Sequence, residues 1–206
     1  MHRPRFKANF AQNYKNIIEM TNPKVNSSSE EDDKIDIEFI VEDCLYSMKY
    51  GDKECEYDRI FNQFEDVDKI SHFFEENIHY LNLPAWNDVP NVESATRQVL
   101  YEAKELEKRL IDCAENTMKG KTPDLDNMFR YVGGEEFSDV YEYTPMKAYG
   151  KGRPAFLRLY AIKLAPNKYV ITGGGIKLHN SIQSSPGIKE HVLQNIRRAR
   201  EWLQNL

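Results

Sequence analysis

The spacing of the apolar residues changes along the chain, and this change is what most limits the possible folds. Up to about residue 120 the apolar residues recur every three or four positions, as on one face of a helix. Beyond that point they alternate or form short apolar runs, as in strands. Helices, then strands, then one closing helix are typical of the α+β class rather than of an alternating βαβ fold. We therefore expect an α+β protein in which a small antiparallel sheet follows a helical region.

Helical spacing predicts four helices between residues 35 and 120. They are expected over residues 37–48, 57–64, 70–78 and from about 91 to 118. Gly51 is placed to end the first, and Pro84 and Pro90 indicate a loop before the last. Residues 1–34 are interpreted as a short helix followed by a polar linker.

Three strands and a final helix are predicted after residue 120. The strands are expected over residues 137–144, 155–165 and 168–178, and the helix over 187–206. A tight connection at Pro166-Asn167 joins the last two strands, which implies antiparallel pairing. Three glycines at 173–175 indicate a bulge or a close backbone approach, because their spacing fits no phosphate-binding loop. This divides the chain into a segment 1–34, an acidic helical region 35–120 and a basic module 121–206.

Charge is distributed unevenly between the two ends of the chain. The net formal charge is −5, but residues 1–142 carry 17 basic and 31 acidic side chains, whereas residues 143–206 carry 11 basic and 2 acidic. Such asymmetry indicates contact with nucleic acid or another anionic surface, since clustered cations neutralise phosphates. The alternative is that the acidic and basic parts pack against each other. The charge pattern leaves both interpretations open.

Several classes of protein are disfavoured by composition. No run of about 18 apolar residues occurs, and no apolar segment follows the basic N-terminus, so we expect a cytoplasmic chain with no membrane segment. The three cysteines have neither the number nor the spacing of a disulfide framework or a zinc site. His72, Glu75, Glu76 and His79 share one predicted helix side, which we interpret as a solvated charged face. No metal or cofactor is expected.

The sequence AFLRLYAIKLAPNKYVITGGGIKLHNSIQ, residues 155–183, together with the helix after it, resembles the end of RelE/HigB-like toxins of bacterial toxin–antitoxin modules. Arg158 matches the strand arginine of that family, and Lys177 matches the start of its basic element. The resemblance covers the last third of the chain. It implies a ribosome-associated mRNA endoribonuclease in the cytoplasm, with the ribosome and mRNA as partners and a helix-turn-helix antitoxin as inhibitor. Minimal toxins of this kind lack the acidic helical region.

Cleavage of RNA through its 2′-hydroxyl needs a proton acceptor, cations for the phosphate and a proton donor for the leaving oxygen. Arg158 and Lys177 are candidates for charge stabilisation, and His179 is the candidate proton shuttle, with a surface turn as the alternative role for this histidine. We count all three as predicted catalytic residues. Predicted nucleic-acid contacts are Tyr149, Lys151 and Arg153 in a basic loop, Tyr160 beside Arg158 on one strand face, and Arg197 and Arg198 on the last helix.

Two other functions are compatible with the same residues. The chain could be a non-catalytic binding protein whose basic sheet face holds RNA or an acidic protein partner. Alternatively, the acidic helical region could be the active half and imitate nucleic acid. No arrangement of Ser/His/Asp or Cys/His residues favours another hydrolase.

Overall fold

A computed structural model describes residues 34–132, 143–150, 154–189 and 191–205. The helix and linker expected over residues 1–34 lie almost entirely outside these ranges. Lys151 and Arg153 lie outside them, and so does most of the strand expected over 137–144. The strands are β1 (Ile35–Val41), β2 (Leu45–Tyr50), β3 (Arg130–Tyr131), β4 (Thr144–Tyr149), β5 (Leu157–Ala165) and β6 (Lys168–Ile176). The helices are α1 (Glu56–Glu65), α2 (Val67–Glu76), α3 (Ile78–Leu81), α4 (Val92–Met118), α5 (Leu125–Met128) and α6 (His191–Gln204), with a 3-10 turn at Pro84–Trp86.

The six strands form one mixed sheet in the order β1-β2-β6-β5-β4-β3. The pair β2 and β6 is parallel, and the other neighbouring pairs are antiparallel. The α+β class is therefore confirmed. The prediction of an entirely antiparallel sheet was wrong, because the N-terminal hairpin joins the sheet beside β6.

The helix expected over residues 37–48 is instead the hairpin β1–β2. Its turn is closed by a hydrogen bond from the Cys44 N–H to the Val41 carbonyl, with Asp43 at φ 65°. The residues Leu45–Met48 in β2 are buried on both faces of the sheet. A strand buried in this way loses the period of two that marks a half-exposed strand, and here the apolar residues also fit helical spacing. Alternating apolar residues in IDIEFIV, many of them β-branched, are the strand signal that distinguishes the two structures.

The other helices predicted within the described residues are confirmed. α1, α2 and α4 pack together on one face of the sheet, and the long α4 begins where the Asn91 Oδ1 accepts a hydrogen bond from the Ser94 N–H at 2.9 Å. The main core lies between these helices and the strands. It extends from Cys44 to Leu178, so the described helical and strand regions share one apolar interior.

The pairing of β5 with β6 is also confirmed. Asn167 at φ 57° makes the tight turn between them, and a register shift between Gly173 and Ile171 places a bulge at Thr172, directly before the three glycines. A Cβ at Gly175 would lie 2.6 Å from Ile188 Cγ2, so the sequence before α6 can approach β6 only because this residue is glycine.

The closing helix α6 covers the opposite face of the sheet at β5 and β6. Its buried residues Val192, Ile196 and Ala199 lie on one stripe, as the sequence predicts. Among the described residues, none of the helices combines the length and the hydropathy that a membrane crossing requires.

Candidate functional site

Two neighbouring cavities share Arg158. The larger is an open cleft of about 740 Å³ between α4, α5 and the strands β3 to β5. The smaller, of about 80 Å³, lies where β6 ends and contains Lys177 and His179. No described residue that lines either cavity is acidic, so both present a cationic surface to a ligand.

Arg158 is held in place at the start of β5. Its Nη1 donates hydrogen bonds to the carbonyls of Ala155 and Leu157 at 2.8 and 2.7 Å. Its guanidinium carbon lies 4.4 Å from the ring centroid of Tyr149, the residue that faces it on β4. As predicted, Arg158 and Tyr160 share one face of β5 while Leu157 and Leu159 point toward the main core. The guanidinium is therefore oriented at the boundary between the cavities.

Glu102 on α4 holds the segment that leads to Arg158. Its carboxylate is fully buried and accepts hydrogen bonds from the N–H groups of Phe156 and Leu157 at 3.1 and 2.8 Å, and from Gln98 at 2.8 Å. Burial raises the pKa of this carboxyl, and the hydrogen bonds it accepts oppose that rise. Glu102 thus connects the long helix to the sheet directly behind the site.

Lys177 is the first residue after β6. Its N–H still donates to the Phe156 carbonyl at 2.8 Å, so the start of β5 and the end of β6 stay paired beside the smaller cavity. Its side chain is partly buried. Burial lowers the pKa of its ammonium group to about 8, and repulsion from Arg158 and Lys147 acts in the same direction. A lysine with this pKa can both accept and release a proton near neutral pH.

The backbone that carries Lys177 and His179 is fixed by buried polar groups. The indole N–H of Trp86 donates to the Leu178 carbonyl at 2.9 Å, and the Trp86 ring stacks on Phe156 at 4.0 Å. The hydroxyl oxygen of Ser185 accepts from the N–H groups of Leu178 and His179 at 2.7 and 3.3 Å. These contacts make the segment rigid after the strand has ended.

His179 lies beside Lys177 in the smaller cavity but not on a continuing strand. Its Nδ1 accepts a hydrogen bond from the Ser181 N–H at 3.2 Å. This bond fixes the tautomer in which Nε2 carries the proton. In this geometry the Nε2–H of His179 can donate a hydrogen bond to a ligand in the smaller cavity.

The larger cleft brings Arg109 and Arg130 to the same space as Arg158. Arg109 on α4 donates to the backbone carbonyl of Tyr149, and Arg130 on β3 donates to the Phe129 carbonyl at 3.4 Å. Both side chains are exposed. Three guanidinium groups with planar donor forks, together with the ring of Tyr149, suit an anionic ligand that carries an aromatic group.

The other predicted site residues lie in different parts of the fold. Tyr149 is on strand β4 rather than in a loop, and it lines the larger cleft. Tyr160 is 1% exposed and packs against Ile188 and Val192, so its assignment to nucleic-acid binding is wrong. Burial raises its pKa far above the ordinary value, consistent with a core residue.

Arg197 and Arg198 lie on α6 and line neither cavity. Arg197 is exposed, whereas the guanidinium carbon of Arg198 lies 4.9 Å from the ring centroid of Tyr50. Lys151 and Arg153 stay predictions, because they lie outside the described residues.

Sequence reasoning missed Glu102, Arg109 and Arg130. Glu102 had a visible signal, since it lies in the apolar stripe of α4 between Val99 and Leu106. A carboxylate at such a position is buried and needs partners. Arg109 and Arg130 had no such signal in the sequence, because exposed arginines are common and only the fold brings these two together.

Comparisons with protein-family models, curated proteins and solved structures found no match.

Proposed function

We propose that this chain is an endoribonuclease of the RelE/HigB type, the toxin of a bacterial toxin–antitoxin module, and that it cleaves mRNA at the ribosome. The observation that carries the proposal is the position of Lys177. Its ammonium group, with a pKa lowered to about 8, lies beside Arg158 in a cavity that also contains His179. These are the residues that the family resemblance marks, with a histidine added.

The chemistry follows from these groups. The neutral amine of Lys177 takes the proton from the 2′-hydroxyl, whose oxygen attacks the adjacent phosphorus. The bond from phosphorus to the 5′-oxygen breaks as a water molecule protonates that oxygen, and the hydroxide left behind takes the proton from the Lys177 ammonium group. Arg158 and the Nε2–H of His179 stabilise the charge on the phosphate during this step. The products are a 2′,3′-cyclic phosphate and a 5′-hydroxyl, and neither metal nor cofactor takes part.

Tightly induced expression in bacteria tests this proposal. Wild type should arrest growth and protein synthesis, and Lys177→Met should not. Lys121→Met is the matched control, because Lys121 is exposed and lines neither cavity. All three proteins must accumulate and fold equally. Harmless wild-type protein, or equal arrest by wild type and Lys177→Met, contradicts the proposal.

A second candidate is a non-catalytic RNA-binding protein with the same site. The larger cleft favours it, since three arginines and Tyr149 can bind RNA without Lys177. Two measurable outcomes distinguish this candidate from the endoribonuclease. In that case Lys177→Met weakens RNA binding only slightly, and no wild-type preparation cleaves RNA.

A further inference from the structure

The larger cleft has a chemistry distinct from that of the Lys177 cavity. Its described lining contains Arg109, Arg130, Arg158 and Tyr149, together with apolar residues such as Met128 and Pro154. A volume of about 740 Å³ is in the range of cavities that bind organic ligands, and it exceeds what a single phosphate needs.

We propose that this cleft binds the single-stranded RNA segment next to the scissile phosphate, with Arg130 and Arg109 on its backbone and Tyr149 under a base. This inference rests on the proposed function, and it assigns a binding site to the part of the RNA that flanks the scissile phosphate. Arg158, which lines both cavities, marks the point where the bound segment passes from the cleft to Lys177.

The charge of the cleft supports this substrate class. Within the described ranges, neither Arg109 nor Arg130 forms an ion pair with a carboxylate, whereas Arg59 and Arg97 each pair with a glutamate on their own helix. Guanidinium groups grouped without carboxylate partners attract a polyanion and release its counterions when it binds.

Tyr149 distinguishes RNA from other polyanions. One side of its ring is covered by the Arg158 guanidinium, and Lys147 Nζ lies 5.9 Å from its centroid. Tyr149 is also one of the residues that line the cleft, and in the proposed complex its ring stacks on a base. An acidic peptide would use the arginines but lacks the flat bases that stack on an aromatic ring.

The test measures binding separately from cleavage. The probe is a fluorescent 2′-O-methyl oligouridylate, which has no free 2′-hydroxyl and cannot be cut. Arg130→Ala should weaken its binding about five- to tenfold and lower the slope of log K against log salt by about 0.7, the value for one phosphate contact on a single strand. Arg130 is exposed and makes one long backbone hydrogen bond, so the variant should fold.

Two comparisons complete the design. Arg97→Ala removes an exposed arginine of α4 outside the cleft and should change binding less than twofold. Arg130→Lys keeps the charge and should recover part of the affinity. Tyr149→Leu should weaken binding without changing the salt slope.

Each contrary outcome has a distinct meaning. Unchanged binding by Arg130→Ala overturns the cleft assignment even if wild type cleaves RNA. Normal cleft binding without any cleavage keeps the assignment and overturns the endoribonuclease. A polyglutamate of equal charge that binds as tightly as the oligonucleotide, regardless of Tyr149, overturns RNA as the occupant in favour of an acidic protein.

Discussion

The carboxylate of Glu102 lies directly against the α-carbon of Gly150. A Cβ at Gly150 would overlap the Oε2 of Glu102 and lie 2.8 Å from its Cδ. The same carboxylate accepts the N–H groups of Phe156 and Leu157. Glu102 therefore closes the base of the connection between β4 and β5, and the glycine is the only residue type that leaves room for it.

Gly150→Ala should destabilise the protein by about 1–3 kcal/mol, because the added methyl forces the buried carboxylate or the strand end to move. The free energy of unfolding measured by chemical denaturation checks this. The control is a double-mutant cycle with Glu102→Ala. The cost of Gly150→Ala should fall in that background, and an equal cost in both backgrounds contradicts the contact.

Glu102→Gln keeps the shape of the side chain but turns one oxygen into an N–H donor that faces backbone donors. We expect a loss of about 1–3 kcal/mol. Glu93→Gln, an exposed glutamate on the same helix, should cost less than about 0.5 kcal/mol. Similar losses of stability in the two variants would contradict the role of Glu102 in holding the start of β5.

The pH dependence of that loss has a defined sign. The folded-state pKa of Glu102 is raised above its ordinary value of 4.5, so the folded protein holds this proton more tightly than the unfolded chain. Its contribution to stability is fully present below about pH 4.5 and decreases as pH rises through the raised pKa. The stability difference between wild type and Glu102→Gln should therefore shrink with rising pH. A difference that grows would contradict the shift.

The helices that the sequence predicts correctly are those whose apolar residues lie on one narrow stripe, as in α4 and α6. The hairpin β1–β2 was predicted wrongly because β2 is buried on both faces, which removes the period of two from its sequence. The parallel pairing of β2 with β6 joins segments more than 120 residues apart, and no local pattern encodes it. Strand β4 was missed because TPMKAY has few strongly apolar residues.

Lys177 should reduce the stability of the folded protein at neutral pH. Its folded pKa of about 8 lies below the ordinary 10.5, so the penalty is absent above about pH 10.5, grows as pH falls and is complete below pH 8. Lys177→Met should raise the free energy of unfolding at pH 7 by about 1 kcal/mol, after allowance for solvent screening. Denaturation at pH 7 and near pH 10 checks this, and a gain that is the same at both values contradicts it.

Trp86→Phe should loosen the segment that carries Lys177. The change keeps an aromatic ring against Phe156 but removes the hydrogen bond to the buried Leu178 carbonyl, at a cost of about 1–2 kcal/mol. Amide hydrogen exchange of residues 177–179 should become faster. Trp202→Phe, on α6, is the matched control and should leave that exchange unchanged. Unaltered exchange in Trp86→Phe would show that the indole does not hold this segment.

The candidate site was only partly readable from the sequence. Strand periodicity places Arg158 and Tyr160 on one face, but only the structure shows that α6 buries Tyr160 on that face. The meeting of Lys177, Arg158 and His179 in one cavity depends on the register of β5 with β6. The lowered pKa of Lys177 depends on burial by residues that are distant in the chain.

The central claim is that Lys177 is the base in RNA cleavage, and the ends of cellular transcripts test it most directly. After brief induction in bacteria, RNA fragments are mapped and their 3′ ends are analysed for cyclic phosphate. Wild type should produce new fragments that end in 2′,3′-cyclic phosphate, and Lys177→Met should produce none while Lys121→Met matches wild type. The same fragments from Lys177→Met, or none from wild type, would contradict the account.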